Sequence, residues 1–337
     1  MTVSRRGLVL GGLAAGAAPL VGAGVAQAAQ SGPQQGSPGN QILQLFASLP
    51  GTSAIKIDAA AAGKSPGLQV SLNAALEMFV GSAIKTCVLC EAFRQADSPQ
   101  VLDTITARQL ALDASVWSLD SATFNPPNLI GMVSERTAME AMILHSDNTG
   151  TDMMLKLCGP GNVRSFVSFA GMTKTMIPDS TRVFTAYLLG LPNYQTATYL
   201  DVIAASNGPF VHQPLNPVQT LASCADDLVS CYSRALQGGF FRYQETLSQF
   251  LEILSIADAI WLIPVPLGVS AFVKGGSIDI PGFHALCVAG GLFFNNRWVF
   301  FCFTLNWTAP AETDPATVAA WAAAVHQALQ IVISALS

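Results

Sequence analysis

An α+β fold is what this sequence predicts: a five-stranded antiparallel sheet contributed by both ends of the chain, with flanking helices and an all-helical lobe between. Three observations carry the prediction. Two short runs near the start alternate apolar and polar residues with a period of two. The middle, residues 100–255, is written mostly in helical patterns. Three β-rich runs and one helical run then close the chain.

The elements follow in order. Residues 29–40, AQSGPQQGSPGN, are mostly Gly, Pro, Ser and Gln and read as a flexible leader. A folded domain over 41–335 follows, starting with a helical pattern at 41–47. SAIKIDA (53–59) and LQVSLNA (68–74) alternate like the strands of a hairpin. Residues 82–95 read as a helix. SERTAMEAMILHS places Ser134 ahead of a helix-favouring run, the mark of a capping box. GPGNVRSFVSFAG starts after Gly-Pro and stops at Gly171, a C-cap glycine. VQTLASCADDLVSCYSRALQ (218–237) reads as one helix ending at Gly238-Gly239. GVSAFVKGGSIDI (268–280), HALCVAGGLFF (284–294) and RWVFFCFTLNW (297–307) read as strands, with Asn295-Asn296 as a tight hairpin turn. A helix at about 314–335 ends the domain. The sheet therefore draws on about 50–75 and 268–307, the helical lobe on about 100–255, and a cleft between them is the natural site.

Composition narrows the function. Charged residues are 11% of the chain and the formal net charge is −5. No basic groove is written in it, which argues against nucleic acid as a partner. The N-terminal SRRGLVLGGLAAGAAPLVGAGVAQA joins Arg5-Arg6 to a mildly apolar Gly/Ala run and an A-x-A site ending at Ala28. That predicts a twin-arginine signal over 1–28, export to a periplasmic or secreted location, and no stable membrane insertion after cleavage. Cleavage removes two arginines and no acids, leaving a mature charge of −7. The C-terminal ATVAAWAAAVHQALQIVISAL holds His326, Gln327 and Gln330 and reads as a packed helix rather than a span. A monomer is expected.

Seven cysteines stand at 87, 90, 158, 224, 231, 287 and 302, mostly in apolar runs where they behave as small core residues. Cys224 and Cys231 are seven apart in a helical pattern, a rise of roughly 10 Å and too far to bridge. Cys87-Val88-Leu89-Cys90 is formally a C-x-x-C, but no redox-type pattern surrounds it, and it reads as core packing. The histidines at 145, 212, 284 and 326 show no metal spacing. Neither a metal nor a cofactor is implied. The NPPNL run (125–129) and Trp117 are candidates for a cleft rim and wall, set against plain packing.

The chemistry gathers at three places. Ser82 and Lys85 are i and i+3 on one helix face, at a helix start where free N–H groups favour a developing anion. A lysine made neutral by burial can take the serine proton. Ser146-Asp147-Asn148 follows 64 residues later, at a helix end. Lys274-Gly275-Gly276 lies in a strand beside the predicted cleft. The ordered set S-x-x-K, S-D-N and K-x-G resembles the class A β-lactamase-like serine hydrolases, within the wider group of penicillin-recognising serine enzymes, over roughly 40–335.

The resemblance implies a β-lactamase/transpeptidase-like fold and a set of roles. Ser82 is the acylated nucleophile and Lys85 its proton partner. Ser146 relays a proton to the leaving group, and Asn148 binds a substrate amide carbonyl. Lys274 supplies positive charge near Ser146 and helps hold a substrate carboxylate. The backbone N–H groups of Ser82 and Ser277 form the oxyanion hole. Asp147 ties down its turn, and Gly275 and Gly276 form the strand along which substrate lies, Gly276 keeping it bare.

The pattern also departs from the family. No Glu lies between Glu140 and Glu245, where the family's deacylating Glu is expected, and Asp179 is the nearest acid in TMIPDSTRVFTAYLLG. Gly275 stands where Thr or Ser is usual. Extra length falls around 187–217. The sequence therefore predicts an exported serine hydrolase that forms an acyl-enzyme with a small β-lactam, ester or peptide-like substrate, with slow β-lactam turnover. The alternatives are an esterase, amidase or D,D-peptidase of the same fold, or a non-hydrolytic penicillin-binding protein.

Overall fold

The computed structural model describes residues 36–61 and 66–337. The expected signal at 1–28 and most of the leader lie outside the described residues. The end of that leader is not a linker. Pro38, Gly39 and Asn40 form the first turn of α1 (Pro38–Phe46), with the Ser37 hydroxyl accepting from the Asn40 N–H. Proline at a helix start sacrifices no hydrogen bond and presets φ.

β1 (Thr52–Ala59) and β2 (Leu68–Leu72) pair antiparallel, with Ile57 opposite Val70. β3 (Met78–Phe79) leads into a 3-10 turn, Gly81–Ile84, and then α2 (Lys85–Ala96). The helical lobe holds α3 (Val101–Ala107), a ribbon of β4 (Gln109–Leu112) and β5 (Gly131–Ser134), α4 (Glu135–Leu144), α5 (Asn148–Cys158), α6 (Pro160–Phe169), α7 (Thr181–Leu188) and α8 (Tyr199–Ala205). β6 (Ala222–Ser223) pairs with β3; α9 (Ala225–Leu236), α10 (Gln244–Ser255) and a 3-10 turn at Asp258–Leu262 lead back to the sheet. β7 (Ser270–Ile280), β8 (Phe283–Phe294), β9 (Arg297–Trp307) and α11 (Pro315–Leu336) complete the chain.

The expected five-stranded sheet is present, in the order β2-β1-β9-β8-β7, with every neighbour antiparallel. Both chain ends meet where β1 pairs with β9. The turn into β9 uses Asn295 and Asn296, both at positive φ, as a tight hairpin demands. α9 lies across β1, β8 and β9, and α1 packs on α11. β8 is buried along nearly its whole length, as a central strand covered on both faces must be. β7 is an edge strand, and its open side faces the nucleophile turn.

Three details differ from the sequence expectation. The helix expected over 218–237 starts only at Ala225. Ahead of it, Leu221 and Ala222 accept backbone bonds from Val80 and Met176, which commits that stretch to β6, and Cys224 becomes the N-cap. Ser134 does cap α4, but the third helical residue is Thr137, so the box has no reciprocating carboxyl. The segment near 187–217, where the sequence leads one to expect extra length, has its own small core built around Ala186, Leu189, Ala197 and Val202. It is hooked onto the lobe where the Tyr199 hydroxyl donates to the Pro126 carbonyl and its ring meets Trp117 edge-on. The NPPNL run and Trp117 thus serve as its docking surface.

α11 is long and apolar enough to cross a membrane. Its buried residues, Trp321, Ala324, Val325, Ala328, Leu329, Val332 and Leu336, nevertheless follow a single helical stripe into the core. Trp321 is the largest fully buried side chain. Trp321→Ala is expected to lower unfolding free energy by about 3–5 kcal/mol, read from the urea midpoint at unchanged slope.

Candidate active site

The nucleophile turn is held from two sides. β3 pairs with β6, and the Val80 N–H donates to the Leu221 carbonyl at 2.9 Å. Gly81 then takes φ +53°, a conformation glycine adopts freely. A Cβ there would stand 2.9 Å from both the N and the O of Ser277. Conversely, a Cβ on Gly276 would stand 2.1 Å from the Val80 oxygen and 2.6 Å from the Ser82 and Ala83 nitrogens. The turn and the edge strand β7 thus touch backbone to backbone. This contact gives Gly276 a reason beyond leaving the strand bare for substrate: no side chain fits there. It also sets the Ser82 and Ser277 nitrogens on either side of one seam.

Ser82 is the second residue of the 3-10 turn and Lys85 begins α2, so the pair spans the junction of the two. Lys85 is fully buried. Its Nζ donates to the Ser146 carbonyl at 2.5 Å, to Ser146 Oγ at 3.2 Å and to Asn148 Oδ1 at 2.9 Å. Burial, aided by the nearby Lys274 charge, lowers its pKa to about 7, against the pull of Asp147, Asp258 and Asp152. Near neutral pH a large share of Lys85 is therefore an amine able to accept a proton.

Ser146 sits between α4 and α5 at φ +52°, a strained position for a non-glycine residue worth on the order of 1 kcal/mol. Asp147 over-determines that turn. Its Oδ1 accepts from Gly150 N, and its Oδ2 accepts from Thr123 N and Phe124 N, which is the structural role expected of it. Asn148 begins α5; its amide also donates to the Leu119 carbonyl. Lys274, equally buried, donates to Ser146 Oγ at 3.1 Å and to the Gly275 carbonyl at 3.0 Å. Ser146 Oγ is therefore placed between two lysine nitrogens.

The sequence reading missed Lys274's other partner. Asp258, in the 3-10 turn before β7, meets Lys274 Nζ with both carboxylate oxygens, at 2.8 and 2.9 Å. Burial lowers the Lys274 pKa, and Asp258 opposes that shift. The signal was there: Asp258 is the one charge in the apolar run LSIADAIWLIPVPLG.

Nor does the segment expected to carry a base offer one. Asp179 pairs with Arg164 at 2.6 Å and with Gln219 at 2.8 Å; burial works to raise its pKa, but those bonds hold it below the usual range. It anchors its loop. Asp152, one turn past Asn148, is buried and caps the start of α7, accepting from Thr181 N, Thr181 Oγ1 and Arg182 N. Burial pushes it up to about 6 against those bonds. Its spacing four residues after Asn148 was readable; its partner 29 residues on was not.

Cys87 and Cys90 are buried residues of α2 that meet Cys231 of α9, and all seven cysteines are free and buried. His145 is exposed at the end of α4, with no part in the cluster. Ser82, Lys85, Ser146, Asn148, Lys274, Gly275, Gly276 and Ser277 are thus gathered along one seam. A serine followed by a buried, half-neutral lysine, beside two backbone nitrogens, can carry out acyl transfer.

The solved structures share this fold. PBP-A is 16% identical, with a TM-score of 0.64 over 88% of this chain and 96% of its own, in a point-mutant form that is an acyl-enzyme complex with penicillin G. A β-lactamase from Chitinophaga pinensis is 12% identical, with a TM-score of 0.67 over 90% and 100%. A class A representative from Bacteroides cellulosilyticus is 15% identical, with a TM-score of 0.65 over 89% and 100%. No curated protein matches the chain. The family model described as the Beta-lactamase enzyme family matches residues 39–327. With that match over most of its length, the chain belongs to the β-lactamase enzyme family and is a serine hydrolase of class A β-lactamase-like type.

Proposed function

We propose that Ser82 attacks the carbonyl of a β-lactam, ester or amide and becomes acylated, with Lys85 as the base. The observation that carries this reading is Lys85 itself, a fully buried lysine three residues after the serine whose Nζ meets Ser146 Oγ at 3.2 Å, and whose pKa burial lowers to about 7. As the Ser82 Oγ–acyl bond forms, Lys85 takes the hydroxyl proton. The developing oxyanion lies between the Ser82 and Ser277 N–H groups. The proton then passes from Lys85 through Ser146 Oγ to the leaving nitrogen or oxygen, along the 3.2 Å contact. Lys274 at 3.1 Å stabilises Ser146 on its other side. Asn148 orients the acyl group.

Deacylation is the slow half. Each nearby acid is committed to structure: Asp147 to three backbone N–H groups, Asp152 to the start of α7, Asp258 to Lys274. Lys85 is the base left to activate water, so the acyl-enzyme accumulates. β-Lactam hydrolysis by this chain is accordingly slow, and ester or amide hydrolysis, or peptide release, is the second reading that the missing Glu favours. The Arg5-Arg6 run and the A-x-A site support export, with a mature chain beginning at Ala29.

Three outcomes test this. Mixing with a chromogenic cephalosporin is expected to give a burst of about one equivalent followed by slow turnover, with a matching mass increase that Ser82→Ala abolishes; turnover with no detectable adduct overturns slow deacylation, and an adduct on Ser82→Ala overturns the nucleophile. The acylation rate is expected to rise with pH and level off above a midpoint near 7, because only unprotonated Lys85 accepts the proton. Lys85→Arg, which stays charged, should lose about a thousandfold or more of that rate and the pH midpoint with it. A wild-type profile flat from about pH 5 to 9 would remove Lys85 from this role.

A further inference from the structure

Lys274 Nζ has three protons and four acceptor atoms within reach: Ser146 Oγ, both oxygens of Asp258 and the Gly275 carbonyl. Its hydrogen-bonding capacity is filled from within the protein, and its charge is matched by a carboxylate at contact distance. Lys85 is in a similar position, with three acceptors on its own nitrogen. Residue 275, next along the strand, is a glycine and offers no hydroxyl. β7 and β8 carry no other Lys or Arg, and neither does the whole run 256–273 that brings Asp258 to the site. The one basic side chain left on β8, His284, is turned to Asp279 at 2.7 Å.

An anionic group arriving beside Lys274 therefore meets an ion pair that is already neutral, with the Asp258 carboxylate 2.8 Å from the nitrogen it approaches. Like charges brought together in a cleft cost affinity strongly, and this is how sites reject wrong partners. A neutral group meets no such penalty. Resting on the acyl-enzyme reading above, we propose that this site prefers acyl donors whose leaving side carries no carboxylate, neutral esters, thioesters or amides, over carboxylate-bearing donors such as the β-lactams, which still acylate it but more slowly, and that Asp258 is the residue that sets this preference.

The experiment uses two benzoylglycyl thioesters that differ only in the leaving thiol, one ending in a free carboxylate and one in its methyl ester. In each, Ser82 Oγ bonds the acyl carbon, the C–S bond breaks, and the thiol leaves with the serine proton. Released thiol is followed at about pH 8, above the Lys85 midpoint. The wild-type protein is expected to react with the neutral thioester at least about tenfold faster in kcat/KM. Asp258→Asn keeps the shape and some of the hydrogen bonding while removing the charge, and should move that ratio toward the anionic thioester by about tenfold or more.

The wild-type ratio stands whether or not the variant folds. A wild-type preference for the anionic thioester overturns the proposal. So does an Asp258→Asn protein that loses activity on both thioesters equally, because that marks Asp258 as a support for Lys274 and Ser146 alone. If neither thioester reacts and a neutral fluorophosphonate also fails to label Ser82, the acyl-enzyme reading falls, and this proposal with it. Labelling of Ser82 by the fluorophosphonate alongside the wrong thioester ratio isolates the failure to Asp258.

Discussion

Two lysines buried to zero exposure meet at one serine hydroxyl, and the rest of the site is arranged around that fact. An unpaired ammonium in a protein interior is costly enough that it must find partners or lose its proton. This molecule uses both outlets. Lys274 finds Asp258. Lys85 finds neutral acceptors, two on Ser146 and one on Asn148, and its proton becomes labile. The asymmetry comes from where the acids stand. Asp258 touches Lys274, whereas Asp147 and Asp152 reach Lys85 only through space, because their oxygens are used on backbone N–H groups. On the proposed acyl-enzyme reading, two chemically identical side chains thereby take different jobs, one a fixed charge and one a titrating base.

The backbone meets a matching demand. For the Ser82 and Ser277 nitrogens to meet at one seam, the turn must press against the strand with no side chain between. Gly81 and Gly276 satisfy this from opposite sides, each where a Cβ would overlap the other's backbone. The left-handed φ of Ser146 is a comparable case, held by Asp147 binding backbone on both α5 and the loop through Phe124. The functional geometry is thus stored in backbone packing, and the side chains at the seam need little freedom to occupy it.

The sheet was legible because period-two alternation and the Asn295-Asn296 turn are local signals, and because strands at both ends leave few ways to close a sheet. The three motifs were legible because each packs its chemistry into three or four residues. What escaped was non-local. β6 lies in a stretch that looks helical until its backbone is claimed by β3 and by Met176. Asp258 has no motif around it in its own segment, and its role exists only because a 3-10 turn delivers it to a strand residue 16 positions on. The capping box failed for a smaller reason: Ser134 supplies its half, but Thr137 has no carboxyl to return the bond, and Glu135 turns instead to Arg108 at 2.9 Å.

The committed acids bear on how the two half-reactions relate. Acylation needs a base for one moment and then an acid for the leaving group, and the Lys85–Ser146 pair can serve both because the proton it removes is the proton it returns. Deacylation has no such closed circuit: water must be deprotonated with the acyl group in place, and a carboxylate already accepting two or three N–H bonds is a weak base for that purpose. Burial pushes Asp152 up to about 6, yet its oxygens hold α7 in place, so using it would cost the packing of that helix against α5. On the proposed acyl-enzyme reading, the arrangement favours acylation over hydrolysis. On that reading the same distribution of charge governs both Lys274 and the water step: Asp147, Asp152 and Asp258 each hold a piece of the fold.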